Sequence, residues 1–220
     1  MTTHNDLPLP DIQDKLFKDF NEDYRHNATV RTGIDKFFLF SQGYRTAAVK
    51  LFEQLEGSAF NANVLVYPLI FLNRQFLELR LKELISGLNY TISQEYKFSN
   101  GHDLKKLWDT YKNLIPQVGE SYFPEKEVLQ NTENLITEFN LIDPKSFSFR
   151  YPVDTTAERN PSLSITNIDL LNFMTTMNKL YNFFEVQSDV VFHLIDLTEE
   201  FIGIMRSEYE SEMRSYYEGY

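Results

Sequence analysis

Apolar side chains recur at helical spacing along most of this chain. Ile12, Leu16, Phe20 and Tyr24 stand four residues apart and predict a short amphipathic helix. From about Ile34 to Leu55 the stripe is Phe37, Phe40, Tyr44, Ala47, Ala48, Leu51 and Leu55, with Gly57 as the stop. A strongly apolar helix is expected from about Asn63 to Leu88. Leu65, Leu69, Leu72, Phe76 and Leu79 mark one seam, and Leu77, Leu81, Leu84 and Leu88 mark a second. A helix apolar on two sides belongs at the centre of a bundle. Pro68 either opens that helix or kinks it.

Beyond a polar loop, Leu104, Leu107, Trp108, Tyr111, Leu114 and Val118 share one face of a fourth helix. A fifth is expected from Pro124 to about Leu141, with Val128, Leu135 and Phe139 inward. Asp143 to Leu163 carries Pro144, Pro152 and Pro161 and no helical period, which marks a long irregular loop. Thr166 and Asp169 resemble a capping box opening the last helix. Its stripe runs through Leu170, Met174, Met177, Leu180, Tyr181, Phe184, Val191, Leu194, Ile195, Ile202 and Met205. That spacing holds for about 39 residues, or about 58 Å, longer than one small bundle needs. No strand period or repeat competes. The expectation is an all-α, up-and-down-like helical bundle with an extra N-terminal helix and a long C-terminal one. Residues 1–30 read as a polar leader carrying the short helix, 31–206 as the helical domain, and 207–220 as an acidic, frayed tail.

Composition narrows the chemistry. The chain has no cysteine, so disulfides, thiolate metal sites and a cysteine nucleophile are excluded. His4, His26, His102 and His193 lie far apart, none with a ligand partner at metal-motif spacing, so no metal and no cofactor is expected. With 8 glycines there is no phosphate loop or dinucleotide fingerprint. The start has no basic, apolar signal pattern, and no stretch reaches the run of about 18 apolar residues of a membrane helix. A cytoplasmic location is therefore expected. The net charge of −11 argues against broad binding to a phosphate backbone. Charge is uneven, however: Arg74 to Lys112 holds seven bases and five acids, a locally positive middle in an acidic chain.

Three polar groups stand out. Arg74, Glu78 and Lys82 form one row along the central helix, bracketed by Phe71 and Ile85. Such charges interrupt an apolar face and need partners, as an orienting ion pair or as a site. His102 and Asp103 open the fourth helix, where backbone amides welcome an anion or a capping side chain from Asn100 or Asp103. Phe149-Arg150-Tyr151-Pro152 lies in the long loop. Proline stiffens it, and a held guanidinium and phenol suit phosphate or base recognition, or simple loop anchoring.

Taken together, Arg74-Gln75-Phe76-Leu77-Glu78-Leu79-Arg80-Leu81-Lys82, Gly101-His102-Asp103-Leu104-Lys105-Lys106-Leu107 and Phe149-Arg150-Tyr151-Pro152 resemble the HEPN-like superfamily, over about Ile34 to Val191. The resemblance implies a helical bundle, commonly dimeric, frequent in bacterial toxin–antitoxin, abortive-infection and other phage-defence systems. Catalytic members are metal-independent ribonucleases with an Arg followed four to six residues later by a His. No Arg in this chain has such a His, so that pair does not carry over. Three expectations stay open. One is a module binding RNA, a nucleotide or a protein partner through Arg74, Glu78, Lys82, Asp103 and Tyr151. Another is a noncanonical, metal-independent ribonuclease with His102 and Arg150 as catalytic pair. The last is a purely structural oligomerising bundle. In every case a homo-oligomer, most simply a dimer, is expected from the overlong final helix.

Overall fold

The structure is a computed structural model that describes residues 8–17, 24–33, 36–55 and 58–218. Met1–Thr32 and Gly33–Tyr220 are separate units. In the first, the helix expected through Ile12 and Leu16 is absent from residues 8–17, which are turns, bends and irregular backbone. Local side-chain bonds compete with it. The Asp14 carboxylate accepts from Asp11 N at 2.8 Å, and the Asp11 carboxylate accepts from Gln13 N at 2.7 Å. Ile12 and Leu16 are fully exposed there. Phe20 lies outside the described residues, and Tyr24–His26 is a single 3-10 turn.

Among its described residues the second unit is an all-α bundle of five α-helices: α1 Phe37–Glu53, α2 Ala59–Ser93, α3 Leu104–Val118, α4 Lys126–Ile142 and α5 Leu170–Glu218. Ile34 and Gly57, the expected bounds of α1, lie outside the described residues. The two apolar seams of α2 are both used: α1, α3 and α5 all pack on it, and α4 packs on α3. The core contains Phe76, Leu77, Leu81, Leu84 and Leu88 of α2, Trp108 and Tyr111 of α3, and Tyr181 and Phe184 of α5, all fully buried. Each such side chain contributes roughly 1.5–3 kcal/mol.

Helix ends follow local chemistry. Ser58 caps α2, accepting from Asn61 N at 3.2 Å, so α2 begins before Pro68 and carries it internally. Asp103 caps α3, its carboxylate accepting from Lys106 N at 3.0 Å. Asp169, not Thr166, caps α5: its carboxylate accepts from Asn172 N at 2.9 Å. The expected Thr166 capping box therefore fails by three residues, one turn too early.

Two stripes also differ from expectation. In α4, Val128 faces outward and Thr132 and Ile136 are the buried positions. In α1, Ala48 is buried as expected, but Phe40 and Ala47 are exposed and Ser41 is buried in their stead. The last helix has 49 residues, about 73 Å, and continues through residues 207–218 where a frayed tail was expected. Gly87 of α2 lets α5 approach: a Cβ there would stand 2.3 Å from Cγ1 of Val191.

Candidate functional site

Asp143 closes α4 and starts the long loop, and its place explains why Arg74 is buried. Arg74 is 0% exposed, yet every nitrogen of its guanidinium has an acceptor. Nε donates to the Asp143 carbonyl at 3.0 Å, Nη1 to Glu78 Oε2 at 3.1 Å, and Nη2 to the His102 carbonyl. The Asp143 carboxylate faces the same guanidinium at 3.6 Å, and its other oxygen accepts from Phe147 N and Ser148 N at 2.7 and 3.0 Å. Arg74 thus ties α2 to the start of the loop and to the residue before the α3 cap.

Glu78 is equally occupied. Its Oε1 accepts from Lys82 Nζ at 2.8 Å and lies 2.8 Å from His102 Nδ1. Burial alone would raise its pKa. The hydrogen bonds from Lys82 and His102 and the charges of Lys82 and Arg74 outweigh that and hold it below the usual carboxylate range. An ionised carboxylate only accepts, so Nδ1 of His102 carries the proton on that side. The imidazole is otherwise open, with 64% of the side chain exposed. Burial also pushes the Arg74 pKa down, against the opposing charges of Glu78 and Asp143.

The row Arg74, Glu78 and Lys82 and the pair His102–Asp103 therefore do meet, with His102 as the outward member and Asp103 engaged as a cap. Arg150 is held elsewhere. Its Nε donates to the Ser146 carbonyl at 2.6 Å, in a turn that Gln75 of α2 fastens by donating to Ser146 Oγ at 2.6 Å. Its guanidinium carbon lies 5.7 Å from the Phe71 ring centroid and 5.6 Å from that of Tyr151. Among the described residues, no hydrogen bond joins Arg150 to Arg74, Glu78 or His102, and Nη1 and Nη2 of Arg150 have no acceptor. Tyr151, 50% exposed, stacks on Phe147 with centroids 4.7 Å apart and planes at 29°. Ser162 crosses back from the far side of the loop and donates to the Tyr151 carbonyl. The result is an exposed arginine with both terminal amino groups free beside an exposed, stacked phenol.

A second buried polar knot carried no spacing signal that would single it out. Arg80, 0% exposed, donates to Glu83 at 2.9 Å, Ser188 at 3.1 Å and Glu185 at 2.5 Å. Glu185 also accepts from Gln42 at 2.6 Å and Arg45 at 2.9 Å, so α1, α2 and α5 meet at one carboxylate. Arg80 lies over the Phe38 ring at 4.5 Å. Burial raises the Glu83 pKa despite Arg80. The partners sit on three helices, and only Arg80 lies within the quoted motif.

Among the described residues, no group of three or more His, Cys, Asp or Glu side chains could hold a metal ion. No described helix is long and apolar enough to cross a membrane. Compared with family models, curated proteins and solved structures, the chain matches none.

Proposed function

We propose that this chain is a HEPN-like helical module that binds a nucleotide or a short single-stranded RNA segment at Arg150 and Tyr151, without conventional HEPN nuclease activity. The observation that carries the reading is the free guanidinium edge of Arg150 beside the exposed Tyr151 ring, which stacks on half-buried Phe147. A guanidinium edge is a fork for phosphate oxygens, and an exposed phenol beside it offers a face for a base. Arg74, by contrast, is fully buried, with each of its three nitrogens already bonded within the chain. Arg74, Glu78 and Lys82 act here as the frame that fixes the loop.

The test is fluorescence anisotropy of a labelled single-stranded RNA hexamer at low salt. Wild type is expected to bind with an affinity that falls as salt rises. Arg150→Ala and Tyr151→Ala should each remove binding and leave the melting temperature nearly unchanged. Equal binding by wild type and Arg150→Ala overturns the reading.

A second reading rests on His102. A buried, ionised Glu78 fixes its Nδ1–H, leaving Nε2 outward, as a general base requires. A noncanonical ribonuclease using His102 with Arg150 would cleave RNA in the presence of chelator and lose that activity in His102→Ala. The same proposal takes the protein as a homo-oligomer, most simply a dimer. Its support is the distal part of α5, where Phe201, Ile204, Met205 and Tyr209 are at least half exposed. Light scattering of a monomer at micromolar concentration would remove that element. A biological setting in bacterial stress or phage defence follows only from the resemblance.

A further inference from the structure

α4 packs on α3 and α5 packs on α2, and between the two outer helices an open cleft of about 370 Å³ remains. The loop segment through Ile165 and Ile168 closes one side of it before α5 begins. Cavities of this size take small ligands. Its lining contains three aromatic rings, Phe139, Phe149 and Phe173, together with buried Met177. Phe139 and Phe173 meet edge to face with centroids 6.0 Å apart, so ring positions in the wall are fixed by packing.

The charges of the lining have one sign. Glu138 and Asp169 are present, and the lining includes no Lys, Arg or His. Glu138 is exposed and makes no hydrogen bond or ion pair among the described residues. Asp169 uses one oxygen to cap α5, and its second has no hydrogen-bond donor among the described residues. Aromatic faces beside carboxylates attract organic cations and disfavour phosphate and carboxylate groups. We propose that this cleft binds a small organic ammonium with an aliphatic or aromatic body, the body among the phenylalanines and the ammonium toward Glu138 and Asp169. Neither Arg150 nor Tyr151 lines the cleft, although Phe149 beside them does, and the cleft would take a ligand of opposite charge.

The test uses the full chain and three probes with one shared body: hexylammonium, hexan-1-ol and hexanoate at pH 7. Methyl NMR spectra of Met177 and the isoleucines follow each titration. Hexylammonium should give saturable shifts in the millimolar range, reasonable for so few atoms. Hexan-1-ol should be weaker, and hexanoate weaker than hexylammonium by about tenfold. Glu138→Gln, an exposed change that leaves the core intact, should weaken hexylammonium by about two- to fivefold and leave hexan-1-ol unchanged. Thr176→Trp, which fills the cleft from α5, should remove binding of all three. No saturation of hexylammonium up to about 20 mM overturns the proposal. So does hexanoate binding as tightly as hexylammonium, or a Glu138→Gln variant with the wild-type order and spacing of affinities.

Discussion

Replacing Arg74 by Met tests whether the buried row is framework. Methionine keeps much of the volume and removes the charge. Three hydrogen bonds are lost, to the Asp143 carbonyl, Glu78 and the His102 carbonyl. Asp143 is the group most exposed to the loss in energetic terms. It is fully buried, and its Oδ2 faces Arg74 at 3.6 Å with no hydrogen bond of its own. Glu78 keeps Lys82 and His102, so one of two carboxylates is stranded. Breaking a buried pair from one side costs about 3–5 kcal/mol, even though removing the guanidinium relieves its own desolvation. For a chain of this size that is a fall of about 6–20 °C in melting temperature.

The assay is urea unfolding followed by circular dichroism, with the slope required to match wild type so that the midpoint reports stability. Because the pair is buried, the loss should persist at high salt, unlike that of a surface pair. A double-mutant cycle with Glu78→Gln should give a coupling energy of at least about 0.5 kcal/mol. An Arg74→Met protein within about 0.5 kcal/mol of wild type, or additive single changes, would refute the assignment of this row to the frame.

Arg150→Ala should cost about 1 kcal/mol or less, since it removes one part-buried backbone hydrogen bond and two ring contacts from an exposed side chain; chemical denaturation checks this against Arg74→Met. Gly87→Ala should destabilise by about 1–2 kcal/mol, the overlap with Val191 exceeding the helix-propensity gain, and Gly87→Ala with Val191→Ala should recover part of it. Glu78 has a folded pKa below its ordinary value of 4.5, so its contribution is present above that pH and is lost as pH falls through the lowered value. Glu83 runs the other way. Its folded pKa is raised, so it favours folding increasingly as pH falls toward 4.5, and Glu83→Gln should steepen the loss of stability with acid, read from denaturation midpoints between pH 4 and 7. Added chelator should leave the melting temperature unchanged, since among the described residues no metal-binding cluster exists.

The helices were legible because each has a core to face. In α2 both seams were readable: Leu77, Leu81, Leu84 and Leu88 are all buried, and of the other seam Leu69 and Phe76 are buried while Leu65, Leu72 and Leu79 are half-buried. The row at Arg74, Glu78 and Lys82 was readable for the complementary reason: charges that interrupt an apolar stripe at helical spacing must be satisfied inside. Where reading failed, short-range chemistry had a competitor that periodicity does not see. Asp11 and Asp14 bond their own neighbourhood and displace the helix expected at Ile12 and Leu16. At α5, Thr166 was read as the cap with Asp169 as its capping-box partner, but the helix starts one turn later and Asp169 is itself the cap. The Arg80–Glu185 knot was invisible because its members are 105 residues apart. Gly87 had no signal either: its meaning lies in Val191 on another helix.

The separation of Arg150 from the buried row turns on burial and on which guanidinium nitrogens are already engaged. Both arginines lie beside aromatic or apolar neighbours; from sequence Arg150 was the candidate for holding a phosphate, and Arg74 an ion-pair or binding residue. Arg74 is fully buried with each nitrogen bonded to an acceptor of its own chain, so a ligand could reach it only by opening the core and displacing one of those acceptors. Such an exchange releases a buried carboxylate or carbonyl without a partner, at a cost of about 1–3 kcal/mol or more. Arg150 spends Nε on the Ser146 carbonyl, which aims the guanidinium, and keeps Nη1 and Nη2 for something outside the chain. Gln75 extends the logic one step, since it fastens Ser146 to the helix that carries Arg74. Gln75→Ala should therefore loosen the aim of Arg150 while sparing the ion network, weakening RNA binding about tenfold with little change in stability. Wild-type RNA affinity in Gln75→Ala, in a preparation where Arg150→Ala abolishes binding, would show that the turn at Ser146 does not position the guanidinium.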